Sequence, residues 1–392
     1  MPWPFSRRSS AIAGSTVESS SSPQTRFAFR LFRELARGQK ENIFFSPTSV
    51  MLCLAMVHEL ASGETRSSIA NALEIGDSDR AELESQIATL KSAFRSRTDA
   101  QVLLGNALFL GVHAQVNSAL QSQLRSLYDA ELSAVDFSSL GTVATINEWV
   151  STKTNGKIHE VVSQLSPVSA LVAVNAVYFK SRWLKPFLAE FTRDRPFRTA
   201  SGTIKPVPMM VQGGRYSYYE DKTVQVALLP YLGDVSMCVV LPAADSDLTK
   251  LRHNLNSGLW ESWIAGARSM QGTIQLPRFR VDYGSEMSHA LSALGMERAF
   301  DQQRAEFHHV HTDRPPVWLD RVAHRAVAEV NEHGTEVAAA TVAYLEAAAM
   351  PMKPVKRFLM IVDRPFLFLI RDNKTETIMF LGWIGDPQMI LS

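Results

Sequence analysis

Cysteine is nearly missing from this chain. Its 392 residues carry only Cys53 and Cys238, each inside an apolar run, so the fold does not rely on disulfides and both thiols are expected to be buried, as suits a reducing compartment. Net charge is nearly missing as well: 40 Lys and Arg against 39 Asp and Glu leave +1, which offers no footing to a nucleic acid or an anionic membrane surface. Long apolar runs are absent, the strongest candidate being cut by Asp363 and Arg364, so no segment reads as a membrane span. Residues 1–24 are Ser-rich and lack the uninterrupted apolar core of a signal peptide. They are expected to form a disordered tail on a cytoplasmic protein, with non-classical export as the second choice. The sequon Asn373-Lys374-Thr375 matters only in the secretory pathway.

Catalytic motifs are also lacking. There is no G-x-S-x-G, no Gly-rich phosphate loop, no H-E-x-x-H and no C-x-x-C, so neither an enzyme nor a bound cofactor is expected. His308, His309 and His311 beside Asp313 have a metal-like composition, but two prolines follow and a solvated loop is the better reading than a metal site.

What is present is a chain with 46% hydrophobic residues, enough for a sizeable core. Helical spacing marks Thr25 to Arg37, Arg80 to Phe94, Gln115 to Ala130 and Val143 to Thr154. Leu171 to Phe179 is a nearly continuous apolar run suited to a strand covered on both faces. Later strands are expected at Lys205 to Met210, Tyr216 to Glu220, Gln225 to Pro230, Val235 to Leu241 and Thr273 to Arg280, with a final hairpin over Phe366 to Ile384. This is a mixed α+β pattern without a βαβ repeat.

The stretch from Arg321 to Phe366 is unusual. Arg321 to Val330 alternates apolar and polar residues as a strand does, Gly334 breaks the alternation, and two alanine runs follow. Counted alternately from Thr335, one face carries Thr335, Val337, Ala339, Thr341, Ala343 and Leu345, while Glu336 and Glu346 fall on the other. Such a segment could bury its small, uncharged face inside a sheet.

The segment EVNEHGTEVAAAT resembles the hinge of the serpin reactive-centre loop, and VDRPFLFLIRDNKTETIMFLGWIGDP resembles the serpin C-terminal signature. NIFFSPTSVMLCLAM, INEWVSTKTNGKI and LVAVNAVYFKSRWLKPF extend the match in family order over roughly Arg26 to Pro387. The resemblance implies one serpin domain over residues 25–392, three β-sheets (A, B, C), about eight or nine helices and an exposed reactive-centre loop at about residues 332–357. It implies a monomeric suicide-substrate inhibitor of serine proteases, in which loop cleavage is followed by insertion of the loop into sheet A. A non-inhibitory serpin (carrier, chaperone or storage protein) and a cross-class inhibitor of cysteine proteases are the alternatives.

The resemblance also assigns residues. Ser46, Ser49, Asn175 and His324 match the family's shutter, polar positions that are expected to satisfy one another where the sheet opens. Trp183 matches the breach tryptophan, Glu332 the hinge acid, and Arg278 the basic partner of that acid. Gly334, Thr335, Val337 and Ala339 continue the hinge, with Val337 bulkier than usual. Counting from Gly334 puts the reactive bond between Ala348 and Ala349, a small residue that suits elastase-like or subtilisin-like proteases. Met350 is the second choice and would add chymotrypsin-like targets; Lys353 would suit trypsin-like ones, though Pro351 and Pro354 disfavour cuts after Met350 and Lys353. The helix matching the glycosaminoglycan-binding helix of some serpins mixes Arg80, Lys91, Arg95 and Arg97 with Asp79, Glu82 and Glu84, so such a site is not expected.

Overall fold

The computed structural model describes residues 21–39, 41–76, 80–94, 100–313, 316–335 and 356–388. Helix α1 (Pro23–Leu35) is followed by strand β1 (Ile43–Phe45), helices α2 (Pro47–Leu60), α3 (Gly63–Leu73) and α4 (Arg80–Ala93), and strands β2 (Ala100–Gly111) and β3 (Ala114–Val116). Then come α5 (Ser118–Tyr128), β4 (Glu131–Val135), α6 (Thr142–Lys153) and β5 (Leu171–Arg182). Strands β6 (Arg193–Arg198), β7 (Ile204–Glu220), β8 (Val224–Pro230) and β9 (Val235–Pro242) lead to α7 (Leu248–Asn254) and α8 (Ser257–Gly266). Strands β10 (Arg268–Pro277) and β11 (Phe279–Glu286) precede α9 (Ser288–Leu291) and α10 (Glu297–Phe300), two ends of one irregular helix that Gly295 breaks with a φ of 104°. The described residues therefore hold nine helical units besides a short 3-10 turn at Ala189–Phe191. Strands β12 (Val310–Thr312), β13 (Leu319–Asn331), β14 (Gly334–Thr335), β15 (Phe358–Ile361), β16 (Phe366–Asp372) and β17 (Ile378–Ile384) complete the chain.

Among the described residues, three sheets result. One path of eight strands runs β1-β17-β16-β9-β8-β7-β10-β15, with β6 added beside β7. A second sheet runs β11-β13-β14-β5-β2-β4, and β12 pairs with β3 in a third.

Helix α2 lies at the centre. Ser46 caps it by accepting from the Ser49 N–H at 3.1 Å, Pro47 supplies its first residue, and every residue from Pro47 to His58 is buried. An all-round apolar helix demands cover on every side. Strand β5 explains its own composition in the same way. Leu171, Ala173, Val177 and Phe179 join the main core with α2, while Val172, Val174, Ala176 and Tyr178 join a second cluster with Ile146 and Val150 of α6. With apolar cover on both faces, alternation disappears from the sequence.

Several local expectations are corrected. Helix α1 starts at Pro23, capped by Ser22, and Gln24 is buried with its Nε2 donating to Thr48 Oγ1 and the Ile378 carbonyl at 2.9 and 2.8 Å. The expected tail thus gives way to the fold before residue 24. Helix α5 begins only at Ser118, because Asn117 caps it and Ala114–Val116 pairs with Val310–Thr312. That pairing also places His311 in a strand rather than a loop. The two strands expected within residues 205–220 are one, β7, which runs through Gly213 and Gly214. The one strand expected over 273–280 is two, because Pro277 ends β10 in one sheet and Phe279 starts β11 in another.

Candidate functional site

The site is a split between two strands. Strands β5 and β13 pair in parallel from Leu171 and Leu319 up to Tyr178 and Val327, then diverge. After a two-residue turn at Glu332 and His333, Gly334 and Thr335 fold back into the split: Gly334 pairs with Asn331 and Arg182, and Thr335 with Val330 and Ser181. A short strand is therefore already wedged between the two, antiparallel to both. Only glycine fits the first position. Its φ is 147°, and a Cβ there would lie 2.1 Å from the Ser181 carbonyl oxygen.

The wedge is anchored from below. Thr335 is fully buried, and its hydroxyl lies 2.9 Å from the Tyr231 hydroxyl. Burial pushes the Tyr231 phenol up, so it stays protonated. Tyr231 stacks on Trp183 with ring centroids 4.1 Å apart and planes 7° off parallel. Trp183 Nε1 donates to the Asn331 carbonyl at 2.9 Å, and its backbone N–H to the His333 carbonyl at the same distance. Glu332 accepts from Thr192 Oγ1 at 2.8 Å, and Arg278 Nη1 stands 3.6 Å from the same carboxylate. The expected partners Trp183, Arg278 and Glu332 are thus brought together. One expectation is corrected: the loop is not exposed from Glu332 onward, since Glu332 is 6% exposed and Gly334 and Thr335 are buried. Val337, Ala339, Ala348, Ala349 and Met350 lie outside the described residues.

Further along the split, the four other expected residues meet beneath the β5–β13 pair. His324 and Asn175 are register partners across those strands, and Asn106 on β2 is the register partner of Asn175 on its other side. The His324 Nδ1 bonds to Asn175 Oδ1, Asn175 Nδ2 donates to Ser49 Oγ and to Asn106 Oδ1, and the Ser46 N–H donates to His324 Nε2 at 3.3 Å. Ser46 Oγ donates to the Met379 carbonyl at 2.6 Å. The ring that accepts at Nε2 and donates from Nδ1 is neutral, and complete burial lowers its pKa to about 3. Asn106 was not anticipated. Its signal was the one that marked Asn175, a single amide inside an apolar run.

Residues outside the split fall as follows. Cys53 and Cys238 are free and buried, and burial pushes the Cys53 thiol up to about 12. Asn373 is exposed in the β16–β17 turn, its Nδ2 donating to Ser236 Oγ at 3.0 Å. Lys91 of α4 is taken up by Asp129 at 2.9 Å and by the Leu127 carbonyl at 2.8 Å. Asp313 lies 3.8 Å from His113. Among the described residues no helix is long and apolar enough to cross a membrane, and no cluster of His, Cys, Asp and Glu could hold a metal ion.

Comparison with known proteins agrees with this architecture. The family profile described as Serpin (serine protease inhibitor) matches residues 22–387. The leukocyte elastase inhibitor of Sus scrofa is 34% identical over 95% of this chain and 100% of its own length. Serpin B6 of Macaca fascicularis is 33% identical over 92% of this chain and 97% of its own. Among solved structures, the thermophilic serpin tengpin in its native state superposes with a TM-score of 0.85 at 25% identity, covering 97% of this chain and 96% of that one. With a profile that spans nearly all of it and a sheet whose split already holds the hinge, the chain belongs to the serpin family.

Proposed function

We propose that the chain is a suicide-substrate inhibitor of serine proteases that traps the acyl-enzyme by drawing its cleaved loop into the split between β5 and β13. The observation that carries this reading is the wedge. Gly334 and Thr335 already hold a register with both flanking strands. Continued by six residues, that register puts Thr341 opposite both Asn175 and His324; continued by ten, it puts Leu345 opposite Leu171, where β5 begins. Insertion exchanges one parallel ladder for two antiparallel ones, and each net hydrogen bond gained contributes about 0.5–1.5 kcal/mol. The alternate residues Val337, Ala339, Thr341 and Ala343 would follow Thr335 onto its buried face, and none is charged.

The hydrogen bonds of Asn175 and His324 then act as a clasp over the path that the strand must take, and Trp183, Tyr231, Arg278 and Glu332 set the hinge at its mouth. Thr341 brings a hydroxyl to the clasp as it opens, which spares Asn175 and His324 the cost of unpaired burial.

The register ends three residues short of Ala348, which supports a reactive bond between Ala348 and Ala349 and an elastase-like or subtilisin-like target; a cut after Met350 is the second choice. The buried, unpaired thiols of Cys53 and Cys238 support a reducing, cytoplasmic location. Incubation with elastase, chymotrypsin and trypsin, followed by denaturing electrophoresis and sequencing of the released fragment, tests the reading. An SDS-stable complex and a fragment starting at Ala349 are expected. A fragment starting at Pro354 would mean trypsin-like targeting, and cleavage without any stable complex would favour a non-inhibitory serpin.

A further inference from the structure

A second feature has no part in the split. Arg26, Arg30 and Arg33 share one stripe of α1 at spacings of four and three residues, and all three line a cavity of about 210 Å³ whose far wall is Asn256 and Ser257 at the start of α8. Glu74, after α3, is the one carboxylate among the lining residues: it takes Arg26 Nε and, at 2.8 Å, Arg30 Nη1. Arg26 Nη1 also donates to the Ser21 carbonyl, and Arg30 Nη2 to the Leu294 carbonyl at 3.4 Å. Arg33 has no carboxylate partner among the described residues. Three guanidiniums thus meet a single negative charge, an arrangement that repels itself along the helix. Ser257 adds an independent sign. It is only 2% exposed and it lines the same cavity.

We propose that this cavity binds a tetrahedral oxyanion, a phosphate or sulfate group carried free or as a monoester. Guanidinium forks match such oxygens two at a time, and the Ser257 hydroxyl supplies a further donor from the opposite wall. At about 210 Å³ the cavity has room for one oxyanion and the first atoms of its carrier. The dianion would restore neutrality, since three arginines less one glutamate leave two positive charges.

Calorimetric titration of the full chain with inorganic phosphate, inorganic sulfate, glucose 6-phosphate and a sulfated disaccharide, at constant ionic strength balanced with chloride, is the test. Binding heat is preferred to melting temperature because phosphate and sulfate stabilise every folded protein by exclusion. The expected result is saturable one-to-one binding, weakened roughly tenfold or more by Arg33→Gln and less by Ser257→Ala, as loss of a charge-assisted or a neutral hydrogen bond implies. Tighter binding of the phosphate ester identifies a phosphorylated carrier, and of the disaccharide a sulfated one. Arg33→Gln should melt with the wild type in chloride, which separates lost binding from lost fold. No saturable heat with any probe, or equal affinity in both variants, overturns the proposal.

Discussion

Thr335→Arg tests the hinge most sharply. Thr335 is fully buried between Ser181 and Val330, with its hydroxyl on Tyr231. Glu332, the carboxylate in the turn before the wedge, is already engaged by Arg278 and by Thr192, so an arginine at 335 gains no free carboxylate there. Burying an unpaired guanidinium costs several kcal/mol even after relaxation, and the displaced threonine leaves the Tyr231 hydroxyl without its partner at about 1–3 kcal/mol more. A penalty of 3 kcal/mol already shifts an equilibrium more than a hundredfold. The variant should therefore keep its hinge outside the sheet before cleavage and fail to insert after it. Trp183, stacked on Tyr231, reports the first change through its fluorescence. Elastase titration reports the second: the variant should be cleaved as an ordinary substrate, with no SDS-stable complex. Thr335→Val keeps size and neutrality, and should still form the complex. If Thr335→Arg trapped protease as well as wild type, or if Thr335→Val failed equally, burial of charge would not be the reason the hinge is selective.

Other predictions follow from the same geometry. Gly334→Ala should expel the hinge as well, since its Cβ would meet the Ser181 carbonyl at 2.1 Å; the Trp183 signal should move as in Thr335→Arg. His324 is held neutral to about pH 3 by burial but protonates near 6.5 once unfolded, so its contribution is complete above pH 6.5 and is lost as pH falls through that window, at about 1.4 kcal/mol per pH unit. His58, lowered to about 4 by burial and then by Arg66, adds the same sign. Urea unfolding at pH 7, 6 and 5 should show this loss in the wild type and a shallower one in His324→Gln. Asn175→Ala removes the residue that joins Ser49, Asn106 and His324, and should lower stability by roughly 2–4 kcal/mol through orphaned buried groups; an unchanged urea midpoint would refute the clasp.

Much of this was legible in the chain itself. The apolar run of β5 announced a strand covered on both faces, and the one asparagine within it marked the place where Ser49, Asn106 and His324 are hydrogen-bonded together. What stayed hidden depends on partners distant in sequence. Gly213 and Gly214 read as a break, yet β7 continues through them because β10 supplies partners Thr273 and Gly272 across the ladder. Gly272 in turn is bare so that the Phe358 ring can occupy the space of its side chain. Asn117 could not reveal that Gln115 and Val116 are held in a strand by residues almost two hundred positions later. The buried hinge was missed for a like reason: small residues after a glycine are equally consistent with an exposed loop and with a strand that has begun to insert, and only Ser181, Val330 and Tyr231 decide between them.

The central claim is that cutting the loop lets it become a strand. Its most direct test is the melting temperature of intact protein against protein nicked once within residues 336–355 by catalytic elastase and purified without dissociating the two pieces. The nicked form is expected to melt far above the intact one, because a central strand has been added between β5 and β13. Equal melting temperatures, or a lower one after nicking, would contradict insertion.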